Sequence, residues 1–419
     1  MSREICILQQ DTPEQGGLQV NVTSTIGIQP IMGAAVKIFS GQTQVEDLTT
    51  DSSGQTPAIQ LPAPPFAYSQ EPNQPQPFAE YTIQVEAPGY RPVEVSNVAI
   101  FPEEMALQPV EMEPLETSSG DGEENIVVPP NALWGDFPPK IAEDEIKPMD
   151  ESGEIVLSRV VIPEYVIVHD GPPSDRGAKD YYVRYRDYIK NVASGEIYST
   201  WPDAALRANI LAIMSFTLNR VYTEWYRNKS YDFTITSSTA YDQTWSFGRT
   251  IYRNISQIVD EMFNNYLSRP NVRQPILTQY CDGKNVSCPN WLSQWGSKYL
   301  GDQGYTAIQI LRYYYGSNLY INSAEEISGV PASWPGTNLS IGSTGSKVRQ
   351  MQEQLAVISR SYPAIPRIAA DGIYGPRTKE AVETFQRIFS LPVTGVVDFA
   401  TWYKISQIYV GVTRIAELV

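Results

Sequence analysis

Two short stretches near the start of the chain, GLQVNVTS (17–24) and AAVKIFSG (34–41), alternate apolar and polar residues one for one. That is the period of a strand with one buried face. YTIQVEAPGYRPVEV (81–95) carries the same alternation on either side of a Pro-Gly break, which predicts two more strands. TDSSGQT (50–56) is a turn cluster, and PAPPFAYSQEPNQPQPF (62–78) is too rich in proline for anything but a loop. Residues 1–113 therefore read as an all-β unit. Residues 114–160, from EPLETSSGDGEEN to EDEIKPMDESGE, have no period at all. So polar a segment buries little apolar surface, and the expectation is an acidic linker, exposed and open to proteolysis.

Beyond residue 160 the pattern changes. VIPEYVIVHDG (161–171) reads as strand, and YYVRYRDYIKNVAS (181–194) as helix. Gly195 is placed to end that helix as a left-handed cap, and Thr200 to cap the next, with Pro202 and Asp203 in its first turn. Leu206, Ile210, Ile213, Thr217 and Val221, spaced by threes and fours, predict a long helix with a buried stripe. After a linker at about 330–338, SKVRQMQEQLAVISR and RTKEAVETFQRIF are helical. The second has Pro376 at its entry and Ala381, Val382, Phe385 and Phe389 on one face.

Composition narrows the function. The net charge of −16 is uneven: residues 1–160 hold 6 Lys/Arg against 25 Asp/Glu, and the remainder is slightly basic. Parts with different jobs are implied, and neither has the basic patch that nucleic acid requires. No apolar run approaches the ~18 residues of a membrane span. No secretory signal is recognisable in MSREICILQQDTPEQ, so synthesis in a cytoplasm is expected. Three cysteines make no disulfide scaffold. His169, the single histidine, excludes a multi-histidine metal site and reads as a loop residue.

Nineteen of the 26 tyrosines fall between 161 and 325. In their midst, Glu196 lies at a joint between two predicted helices, walled by Ile197, Tyr198 and Trp201. Local sequence alone reads it as a surface carboxylate after a helix end. The other reading is a general acid held rigidly in apolar, aromatic surroundings. Ser293 and Gln294 in LSQWG are candidate hydrogen-bonding groups for a ligand, or else a buried turn. Asp242 and Gln243 in AYDQTW are candidates for a cleft wall, with Asp242 a possible second acid. Asp187 and Glu224 are expected to be solvated on helices.

Three resemblances organise these observations. GAAVKIF, TDSSGQ and YTIQVEAPGY resemble the carboxypeptidase-regulatory or transthyretin-like β-sandwich. IGSTGSKVRQMQEQL with DGIYGPRTKEAVETFQRIFSLPVTGVVDFATW resembles the peptidoglycan-binding type 1 domain, a three-helix module, over residues 338–413. Its pattern includes Asp371, Gly372, Gly375, Thr378, Gln386, Gly395 and Trp402. NVASGEIYSTWPDAALRANILAIMSFTLNR and NWLSQWGSKYLGDQGYTAIQILRYYYG resemble, in order, the two signatures of the sporulation stage II protein D family. The order of parts is similar to that of the clostridial spore cortex-lytic enzymes. The implied fold is multidomain α+β: a sandwich pro-region (1–113), a linker with a processing site (114–160), a stage II D-like α+β catalytic domain (161–330) and the three-helix domain (338–413).

The resemblance implies a lytic transglycosylase of spore cortex peptidoglycan, active in germination and localised to the spore. Glu196 would be the sole acid and base; Tyr198, Asp242, Gln243, Ser293 and Gln294 would hold substrate. It further implies a precursor activated by a serine protease, with the likeliest scissile region between Glu151 and Ile162. Some relatives hold zinc near the second motif. Here Cys288-Pro289-Asn290-Trp291 stands without a histidine, so no metal or other cofactor is expected. Cys281 and Cys288 form a disulfide or remain two thiols. Two rival readings are a muramidase using Glu196 with Asp242 and a non-catalytic wall-binding protein that stimulates an amidase.

Overall fold

The computed structural model describes residues 14–116, 122–147, 159–286, 288–331 and 333–414. The alternating segments form a sandwich of two sheets. β1 (Glu14–Ser24), β2 (Ala35–Ser40), β3 (Thr43–Thr49), β4 (Ile59–Ala63), β5 (Ala79–Glu86), β6 (Val93–Ile100), β7 (Met105–Met112) and β8 (Glu124–Val127) follow one another along the chain. One sheet has the order β3-β2-β5-β6-β8. Leu18, Val20 and Val22 from β1 meet Val36, Ile38, Ile83, Val85, Val93 and Val95 in a fully buried core. Each inward residue is the apolar member of its alternating pair, which is why the pattern was readable.

Two features of this sandwich depart from expectation. β8 belongs to the acidic segment, yet it pairs in parallel with β6. The sandwich also does not end at its own residues. After β9 (Val161–Ile162), β10 (Tyr165–His169), β11 (Asp180–Arg184) and β12 (Ile235–Thr236) comes β13 (Ile251–Tyr252), which adds to the second sheet in the order β13-β7-β1-β4. The first two units therefore share a sheet.

In the central unit α1 (Tyr185–Glu196), α2 (Asp203–Tyr222) and α3 (Arg253–Met262) pack together, with α4 (Gln294–Asp302) and α5 (Ala307–Tyr315) against α2. Residues 181–184, expected as helix, belong to strand β11 because they pair with β10. Gly195 does not cap α1, which runs on through Glu196. A Cβ on Gly195 would lie 2.8 Å from Cζ of Arg249, so the glycine permits a close approach. Thr200 is no cap either: Pro202 takes that position, and the Thr200 hydroxyl donates to Ser69 of the sandwich. His169 ends β10 rather than lying in a loop; it is buried, bonded to Asp180 at 2.7 Å and stacked on Phe233.

The C-terminal unit is three helices, α6 (Ser346–Ser361), α7 (Pro376–Ile388) and α8 (Phe399–Thr413). Ala381, Val382 and Phe385 are fully buried, as the spacing predicted. α8 also packs on the central unit. Arg186 bonds the Tyr403 carbonyl at 2.8 Å, and Phe399 and Tyr403 meet Phe263. Beneath them Asp260 is buried and bonded to Lys190 at 2.6 Å and Arg186 at 3.2 Å. Burial raises its carboxyl, but Lys190, Lys404 and Arg186 outweigh this and hold it at about 2.

Candidate active site

Glu196 is the last residue of α1 and only 3% exposed. Its Oε1 accepts from the Thr244 amide at 3.0 Å and from the Tyr280 hydroxyl at 3.1 Å. Its Oε2 accepts from Nε2 of Gln294 at 3.1 Å, which also donates to the Glu196 carbonyl at 3.0 Å. A carboxylate given three donors at fixed positions has one orientation. The two motifs thus meet, Glu196 from one and Gln294 from the other.

Local chemistry places Gln294. Ser293 caps α4, its hydroxyl accepting from the Gly296 amide at 3.0 Å, and Gln294 is the first helical residue. Gly296 is required because a Cβ there would overlap the Tyr314 hydroxyl. Ser293 is partly exposed at the rim, with no bond to Glu196 among the described residues. Tyr198 lies in an aromatic cluster with Phe101, Trp201 and Trp295, ring centroids 5.2–5.9 Å away. Phe101 comes from the sandwich.

Asp242 and Gln243 do not line a cleft. Asp242 is fully buried; one oxygen accepts from Arg220 at 2.7 Å, the other from Tyr226 at 2.6 Å and from the amide and hydroxyl of Thr236. Both oxygens are thus engaged by donors within the fold. Gln243 is equally buried, accepting from Tyr188 and Thr217 and donating to the Ile213 carbonyl. Both build the wall; the residue after them, Thr244, supplies a main-chain donor to Glu196. Asp187 is tied to Gln407 of α8, and Glu224 follows α2 in a turn, 3.5 Å from Arg227. Neither is a freely solvated helix residue.

Sequence reasoning missed four groups around the acid. Tyr280 has its hydroxyl pushed well above the usual value by burial and by the Glu196 charge. Arg249 is buried against Gly195, with Nε and Nη2 lacking hydrogen-bond partners among the described residues. Burial pushes its guanidinium down to about 10. Lys140 comes from the acidic segment, its ammonium 4.6 Å above the Tyr280 ring and bonded to the carbonyls of Thr239 and Asp242. Burial lowers its pKa, and Glu196 and Asp242 offset part of that. None of these was picked out as a site residue, although Thr244 and Arg249 lie in SSTAYDQTWSFGR (237–249) and Tyr280 in LTQYCDG, stretches that share the family resemblance.

The expected loose linker is instead an ordered strap over residues 129–147. Ala132 donates to the Gly195 carbonyl at 2.7 Å, and Asn131 to those of Ser194 and Ile197. Further on, Ile141 donates to Ala240, and Glu143 pairs with Arg220 at 2.6 Å. The scissile region expected between Glu151 and Ile162 lies largely outside the described residues. Cys281 and Cys288 are joined in a disulfide, with Cα atoms 5.8 Å apart. Among the described residues no three His, Cys, Asp or Glu side chains converge as metal ligands, and no helix is long and apolar enough to cross a membrane.

Comparison with known proteins places the C-terminal helices. Residues 344–405 match the family described as a peptidoglycan binding domain. The chain is 43% identical over 77 residues to a zinc D-Ala-D-Ala carboxypeptidase of Streptomyces albus G, covering 18% of this chain and 28% of that protein. The chain thus spans little more than a quarter of that relative's length. Among solved structures, the chain is similar to transthyretin from Sparus aurata (18% identity, 23% of this chain and 88% of that one, TM-score 0.16). It is similar too to a catechol 1,2-dioxygenase variant of Acinetobacter radioresistens (15%, 28% and 59%, TM-score 0.19). The protein is a multidomain α+β chain with a β-sheet N-terminal region and a helical C-terminal peptidoglycan-binding domain. The match to the peptidoglycan binding family is confined to these C-terminal helices, residues 344–405.

Proposed function

We propose that the central unit cuts the glycan strands of peptidoglycan as a lytic transglycosylase, with Glu196 as its one acid and base. Cutting a glycosidic bond needs a proton on the leaving oxygen as oxocarbenium character develops. Most glycosidases then use a second carboxylate as nucleophile or base. A transglycosylase returns the proton to the same carboxylate instead. It comes from the muramic acid 6-hydroxyl, whose oxygen closes a 1,6-anhydro ring, so no water is consumed.

The observation that carries this reading is the contrast between Glu196 and Asp242. Glu196 is held by three donors among aromatic residues, while Asp242 is locked to Arg220, Tyr226 and Thr236. A muramidase pairing Glu196 with Asp242 is disfavoured by that lock. Tyr280, Gln294 and the Thr244 amide orient the carboxyl; Tyr198 and Trp201 supply flat faces for sugar rings.

The resemblance to clostridial spore cortex-lytic enzymes extends the proposal to spore cortex as substrate, germination as the occasion and the spore as location. The full chain would then be an inactive precursor, opened by a serine protease that cuts after the strap. The burial of Glu196, the bonds of Asn131 and Ala132 to the carbonyls of Ser194, Gly195 and Ile197 beside it, and the contacts of Ser69 with Thr200 and Trp201 support this. The experiment is product analysis of digested cortex: 1,6-anhydromuramic ends mark a transglycosylase, reducing ends a muramidase. Loss of stem peptides without glycan cleavage would point to a protein that assists an amidase.

A further inference from the structure

The strap runs beside Glu196 and occupies a strip whose chemistry is specific. At one end the Pro129 carbonyl faces Arg249 at 3.4 Å. In the middle Lys140 lies over Tyr280, next to the acid. From there the chain follows residues 274–279. Gln279 donates to the Ile141 carbonyl at 2.6 Å and accepts from the Glu143 amide at 2.9 Å. Leu277 donates to Glu145 at 2.8 Å, and Gln274 accepts from Lys147 at 2.7 Å.

Along this path lie two arginines, each holding a strap carboxylate through two parallel bonds. Arg220 grips Glu143 at 3.0 and 2.6 Å. Arg269 grips Glu145 at 2.6 and 2.6 Å. A guanidinium presenting two donors side by side is a geometric match to a carboxylate. Glu143 and Glu145 are two residues apart, so an extended chain brings both carboxylates to one side.

We propose that this strip is where the peptidoglycan strand lies, and that Arg220 and Arg269 receive the free carboxylates of its stem peptides. Glu143 and Glu145 hold those receptors until the strap leaves. The inference rests on Glu196 as the cutting centre, since it places the glycan at Glu196 and its peptides toward Arg269. It adds a preference: strands with ionised stems are held better than strands whose stem carboxyls are amidated or absent. Arg220 keeps its bond to Asp242 when the strap leaves, so its outer two nitrogens remain aimed.

The test is binding to the full chain, read by fluorescence anisotropy. The probes are a labelled disaccharide–stem-peptide fragment with free carboxyls and the same fragment with every carboxyl amidated. The tail domain contributes equally to all variants, so differences report the strip. Glu143→Gln with Glu145→Gln is expected to bind the carboxylated probe about tenfold or more tighter than the unsubstituted chain. The amidated probe should gain nothing, and adding Arg269→Gln should remove most of the gain. Hydrogen exchange of residues 274–280 reports whether the strap has lifted. Where it has not, residues 140–147 replaced by a Gly/Ser run of equal length serve instead. A lifted strap with no gain, or equal gains for both probes, overturns the proposal. Because no cleavage is read, a gain in binding alongside an inert Glu196 would leave the strip standing and remove the reaction instead.

Discussion

At the scale of single residues, Glu196→Gln keeps a side chain that can still bond Thr244 and Tyr280. The folded protein should survive with its wall binding, while glycan cleavage falls by roughly two orders of magnitude or more. Thermal unfolding and turnover measured together check this; near-normal turnover would remove Glu196 from the mechanism. Asp242→Asn should behave in the opposite way. It takes from buried Arg220 one of its two carboxylate partners, Glu143 remaining, which costs about 1–3 kcal/mol, and denaturant unfolding should show that loss. A catalytic Asp242 would instead give a stable, inactive variant. Local sequence left Glu196 a surface carboxylate, and the resemblance of its stretch to the first stage II D signature is what singled it out. Neither revealed that Asp242 is structural, since its partners Arg220, Tyr226 and Thr236 converge on it only in the folded chain.

At the scale of elements, periodicity found the strands and long helices, because one-sided burial leaves its period in the chain. It failed where partners rather than propensity decide. Residues 181–184 are strand because β10 pairs with them, and Gly195 continues a helix because Arg249 needs the space. The acidic segment looked like a linker for the same reason: its order comes from Gln274, Gln279, Arg220 and Arg269, all far along the chain. The C-terminal helices also have a partner. Asp260, held at about 2, is depressed relative to an unfolded aspartate. Its contribution is therefore present above the unfolded value of about 3.9 and lost as pH falls through the folded one. Docking of α8 should persist at neutral pH and weaken between about pH 4 and 2. Small-angle scattering of the full chain across that range checks this, and undocking already at pH 6 would contradict it.

At the scale of the whole molecule, the charge imbalance has a physical counterpart in the strap. Attraction between exposed charges fades beyond about 8–10 Å at physiological salt, so closure depends on direct contact. Glu143 is raised by burial, but the bonds and charges of Arg220 and Lys147 outweigh this, leaving it below the ordinary glutamate value. Its share of the closing energy is present at neutral pH and lost only in acid, below about pH 4. The full chain should thus stay nearly inert on peptidoglycan at neutral pH, while a chain starting near Val161 should be active; equal activity would reduce the sandwich to a spacer. On the proposed function the strip under the strap would tie both units to one reaction, and its product is the most direct witness. Peptidoglycan digested by the chain starting near Val161, analysed by mass spectrometry, should yield 1,6-anhydromuramic ends that vanish with Glu196→Gln. Reducing ends, or anhydro ends that persist in that variant, would contradict the account.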